Sequence, residues 1–311
     1  MDDTSLAALA SAASAGVDLA FAVAVGALAT APALGPANAA WPLRRRIAVA
    51  RCHDIAVVAA VVLTVLQSWL RTMSFAETGA VAALAQLPSV AAGTQFGRGW
   101  AVACAALVLM GAARPGRAGT GRLGIGVAMA GAIVYAGGRA AAGHAGARGS
   151  LDDLAVMAIH LLATAIWAGI VFVAAVAVLP DTDPAAAPER LAWHEQLSAT
   201  AAVALALVIA SGGGVAWRTT AGFSVPLRGA SWSWLLAGKL ALVALAAALG
   251  AFNRIAGLPP LRIALAGGAS TRGTSAQTRF TRVLRVEAMV LLGALLLGAA
   301  MAAVAPPGSM D

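Results

Sequence analysis

Five residues, Asp153, Met157, His160, Thr164 and Trp167, follow one another at spacings of three or four along "LDDLAVMAIHLLATAIWAGI". In a helix that spacing places a carboxylate, a thioether, an imidazole, a hydroxyl and an indole on one face. The surrounding run is apolar enough to cross a membrane. A titratable ring is costly there, and it marks either a polar path or a hydrogen bond to a neighbouring helix. Imidazole with thioether suits copper, Cu(I) above all, because soft sulfur selects it over zinc or magnesium. On residue types alone, a histidine bonded to the next helix beside a packing methionine fits at least as well. His144, in "GHAG" just ahead of the stretch, stands on the same terms as a candidate ligand or a solvated loop residue.

The other polar residues within apolar runs are few. The single lysine, Lys239, falls about seven residues into "SWSWLLAGKLALVAL", at a depth similar to that of His160. An ammonium in lipid requires a partner, and Asp18 in the first apolar run is the expected one. Such a pair either fixes helix packing or lets the ammonium oppose an incoming cation near His160. Cys52 and His53, with His194 near the start of a later run, could form a metal release site if those ends are neighbours; solvated interface residues are the alternative. Arg254 and Glu287 are expected to pair structurally across the last two helices. Trp69, Trp232 and Trp234 fit an aromatic belt.

These residues need a membrane scaffold, and the composition supplies it. The chain has 311 residues, 60% hydrophobic and 11% charged, with a mean hydropathy of +0.85. Soluble domains carry about 25% charged residues. The expected fold is all-α and polytopic, because the apolar runs are unbroken over about 20 residues, whereas barrel strands alternate over about 10. Eight spans are expected, at 14–34, 47–70, 97–114, 121–142, 151–180, 196–217, 232–256 and 283–305. Together they form a single transmembrane domain over 1–311. The segment 75–93, with Glu77 and Pro88, reads as interfacial or re-entrant. The stretch 257–282 reads as a cytoplasmic loop, rich in Gly, Ser, Thr and Arg over 266–279.

Arginine placement sets the orientation. Loops after odd-numbered spans hold Arg44, Arg45, Arg46, Arg51, Arg114, Arg117, Arg122, Arg190, Arg254, Arg262, Arg272, Arg279, Arg282 and Arg285. The opposite side holds Arg71, Arg98, Arg139, Arg148, Arg218 and Arg228. The positive-inside rule makes the first set cytoplasmic and places both termini in the periplasm of a bacterial inner membrane. Topology thus accounts for the net charge of +8 without a nucleic-acid partner. The first residues carry Asp2 and Asp3 instead of a basic n-region, so a retained first helix is expected. The two cysteines, Cys52 and Cys104, have no CxxC spacing and imply no disulfide framework.

Taken in order, "TQFGRGW" (94–100), "GHA" (143–145), "HLLATAIWAG" (160–169), "WLLAGKLALVALAAALGAFNR" (234–254) and Glu287 opening an apolar helix that ends in "APP" resemble the copper resistance protein D (CopD) family. The resemblance is strongest over 94–307. It implies eight helices and copper movement across the inner membrane toward the cytoplasm. It also implies a periplasmic copper-binding partner of the CopC type, and His144 and His160 as metal residues. "AWHEQLSAT" around His194 matches the family pattern only loosely. No nucleotide-binding motif is present, so ATP hydrolysis on this chain is not expected to drive transport. Neither is an enzymatic reaction expected. The alternatives are a redox protein holding b-type haem, which would need a second histidine at the depth of His160, and a non-transporting receptor for a periplasmic copper carrier. The chain is expected to work in the lipid bilayer, alone or as a homodimer.

Overall fold

The computed structural model describes residues 3–35, 39–113, 121–147, 149–180, 183, 186–220, 231–266 and 271–304. Among them the regular structure is entirely helical: α1 (Asp3–Thr30), α2 (Ala40–Ala76), α3 (Ala80–Gly93), α4 (Gln95–Ala113), α5 (Gly121–Ala141), α6 (His144–Ala147), α7 (Leu151–Val173), α8 (Ala187–Thr219), α9 (Ser231–Phe252), α10 (Leu258–Ala266) and α11 (Thr271–Met301). A 3₁₀ turn, Pro32–Leu34, follows α1, and π-helical turns, Ala174–Val178 and Asn253–Gly257, extend α7 and α9. Eight helical segments among the described residues are long and apolar enough to cross a membrane. The 14 residues of α3 reach about 21 Å, short of the roughly 30 Å of hydrocarbon.

Helix α2 shows why the chain needs lipid around it. On α2, Ile55, Val58 and Val62 are exposed along one stripe, while Ala56, Ala60 and Thr64 are buried on the other. In water such a stripe would associate or aggregate; in a bilayer it is the correct outer surface. Inside, the helices approach through small residues, as expected where no hydrophobic effect drives them together. The bundle is organised around α1, which packs on α2, α7, α11 and α5. Gly26 of α1 meets Gly169 of α7 backbone to backbone, and a Cβ on either would collide with the other helix. Phe21 and Tyr135 stack beside this crossing, with ring centroids 4.1 Å apart.

Some helix limits differ from the sequence expectation. The stretch 257–282 is not a loop where it is described: α10 occupies its first part, and α11 begins at Thr271. Phe280 and Leu284 are buried and hold that end of α11 against the bundle, so apolar anchoring overrides a loop-like composition. Helix α8 likewise begins at Ala187, with a proline in its first turn, which places His194 inside the helix.

Candidate functional site

His160 lies about 12 Å along α7 from Asp152, at 1.5 Å per residue. Its Nδ1 is 3.2 Å from the Ser211 hydroxyl on α8. Ser211 donates its own hydrogen to the Leu207 carbonyl at 2.5 Å. With that hydroxyl hydrogen engaged, the imidazole donates through Nδ1–H, and Nε2 carries the ring's lone pair. An outer hydrogen bond of this kind, fixing tautomer and ring orientation, is what a ligating histidine requires. Helix α8 makes room for the ring: a Cβ on Gly212 would stand 3.0 Å from His160 Cε1 and 3.3 Å from Nδ1. Gly214 lies against Val156 in the same way, at 3.1 Å. Thus "SGGG" at 211–214 marks a close approach of α8 to α7. Sequence reasoning missed Ser211 and Gly212, although a glycine run inside an apolar helix was the available signal.

Met157 is one turn toward the start of α7 on the same face and is half-buried. Asp153 is buried at the head of that face and accepts a 2.7 Å ion pair from Arg218 at the end of α8. Below His160, Thr164 Oγ1 is buried without a hydrogen-bond partner. Lys239, on α9, lies within electrostatic reach of His160. Gly298 of α11 gives its ammonium space, since a Cβ there would be 3.5 Å from Nζ. The short helix α6 opens at His144, whose side chain lies outside the described residues.

The expected Asp18–Lys239 contact is replaced by another pairing. Asp18 accepts Arg139 Nη2 at 3.2 Å, and Arg139 also donates to Gln67 Oε1 at 3.3 Å, tying α1, α2 and α5 together. Lys239 stays close enough to interact with the Asp18 charge, but at longer range. Nor do Arg254 and Glu287 pair. Arg254 donates to the Ser198 carbonyl at 3.1 Å, while the Glu287 carboxylate sits against Gly250, where a Cβ would be 3.1 Å from Oε1.

Cys52, His53 and His194 do not converge either. His53 is fully buried on α2 with Nδ1 3.5 Å from Asp54, and Cys52 packs beside the bundle core. His194 instead lines a cavity of about 180 Å³ at the opposite end of α8 from Ser211, where Trp167 at the foot of the α7 stripe also lies. Among the described residues, no group of three or more His, Cys, Asp or Glu side chains is arranged to hold a metal.

The family model described as Copper resistance protein D, CopD, matches residues 191–301, spanning most of α8, all of α9 and α10, and α11 to its last residue. No curated protein and no solved structure matches the chain.

Proposed function

We propose that this chain, whose residues 191–301 match the Copper resistance protein D family model, carries copper from the periplasm to the cytoplasm across the bacterial inner membrane. His160 and Met157 are its intramembrane donors. His160 is the observation that supports this reading: an imidazole inside an apolar helix, oriented through Nδ1 by Ser211, given space by Gly212, and one turn from a thioether. Packing glue would require only the hydrogen bond. It would leave the thioether, carboxylate and hydroxyl on the same face unexplained.

The excess of arginine at the ends of α2, α8, α10 and α11 makes that side cytoplasmic. Both termini then face the periplasm, and His160 lies in the periplasmic half. His144, ahead of α7, receives copper there from a carrier of the CopC type. The thioether favours Cu(I) as the cargo. Lys239 sets how long the ion stays, because its ammonium opposes a second positive charge at His160. His160→Ala should abolish copper-dependent copper accumulation in cells at equal expression and membrane insertion. Undiminished accumulation in that variant would remove His160 from the pathway.

A further inference from the structure

The seam that holds His160 continues toward the arginine-rich end. Seven residues further along α7, roughly 10 Å, Trp167 lines the cavity described above. The cavity lies between α8 and α9 and is closed from behind by α7 and α11. Its polar lining is specific: His194, Ser198, Asn253, Arg254 and Glu287. Three of these are almost inaccessible, His194 at 2% and both Asn253 and Glu287 at 4%.

Their bonding is incomplete in a consistent way. The Nδ1 of His194 lies 2.5 Å from the Arg190 carbonyl, which can only accept, so Nδ1 carries the proton and Nε2 has the lone pair. That Nε2 is buried with no partner. The imidazole is held edge-on between Trp193 and Phe280, each ring centroid 5.0 Å away. Asn253 donates through Nδ2 to the Phe280 carbonyl at 3.4 Å, and its Oδ1 is buried with no partner. The π-helical turn Asn253–Gly257 presents Asn253 here. Glu287 makes no hydrogen bond or ion pair among the described residues, because Arg254, the nearest cation in the lining, is turned to Ser198. Gly250 leaves the space its carboxylate fills. Buried polar atoms are normally satisfied, and two unpartnered acceptor atoms beside an unpaired carboxylate, all lining one cavity of about 180 Å³, point to a cation.

We propose that this cavity is a second copper station, held by His194 Nε2 and the Glu287 carboxylate with Asn253 Oδ1 as a further oxygen donor. It takes the ion after His160 and before release. Its donors are harder than the imidazole–thioether pair, so it binds Cu(I) more weakly, and the descending affinity lets the ion leave inward. The inference rests on the copper reading above but on different residues, and the two can fail separately.

The test is a Cu(I) titration of the purified full-length protein under reducing conditions against a competing chelator, with copper flux measured in parallel after reconstitution into vesicles. The wild type should bind two ions, one tightly and one at least tenfold more weakly. Glu287→Gln and His194→Ala should each lose the weak ion, keep the tight one, and slow flux about tenfold or more. His160→Ala should lose the tight ion and keep the weak one. Glu287→Gln preserves shape and decides the matter should His194→Ala not be obtained folded. Two ions bound in both inner variants, or a single wild-type ion that depends on His160 alone, would overturn the station. A single ion that depends on Glu287 and not on His160 would support the station and remove the outer site.

Discussion

The two halves of the bundle solve the membrane problem differently. In the first half, α1 and α7 bury 67% and 61% of their most apolar windows, through crossings such as Gly26 on Gly169, and α2, α4 and α5 bury 33%, 39% and 44%. In the second, the family-matched half, α8, α9 and α11 bury 17%, 6% and 28%. The loosely packed half supplies Ser211 and Lys239 around His160, and His194, Asn253 and Glu287 around the cavity. Close packing leaves no room for an ion or for water. Polar groups that could handle a cation therefore gather on the helices with the least buried surface, while the tight half provides the packed wall and His160 itself.

That contrast can be broken by filling the tight half. Gly26→Leu forces a side chain into the α7 backbone and should destabilise the protein by about 3 kcal/mol or more, seen as a large fall in detergent-unfolding midpoint. Removing a charge from the tight half is the next test. Asp18→Asn leaves Arg139 without its anionic partner and should cost about 2 kcal/mol in the same assay, with the copper affinity of the folded protein unchanged. An equal loss from Lys239→Met would mean that Asp18 serves Lys239 after all.

Substitutions in the loose half should move copper and spare stability. Ser211→Ala frees the His160 ring and should weaken copper binding roughly tenfold, the scale for loss of a ligand-orienting hydrogen bond, in a chelator competition. Lys239→Met removes a repelling charge and should tighten binding a few-fold while slowing release in a stopped-flow chase. If either change lowered the unfolding midpoint as far as Gly26→Leu does, the division into a packed wall and a working half would not hold.

Sequence patterns revealed the spans because hydropathy is a property of each helix by itself. They also placed Asp153, Met157, His160, Thr164 and Trp167 on one face, since helical periodicity is local. They could not say which helix that face meets. Depth along the membrane is one coordinate of three: Asp18, Arg139 and Lys239 share a level, but only the rotation of each helix decides that Asp18 takes Arg139. The same limit misdirected Arg254 toward Glu287, and His194 toward Cys52 and His53, when its neighbours are Phe280 and the cavity. Composition misled at 271–282, part of the expected loop 257–282, because Gly, Ser and Thr suggest a loop, whereas the buried Phe280 and Leu284 anchor that end of α11.

Copper flux into reconstituted vesicles, wild type against His160→Ala at equal incorporation, tests the central claim most directly. The account predicts concentration-dependent copper entry with the wild type and entry no faster than protein-free vesicles with the variant. Equal flux through both would contradict it.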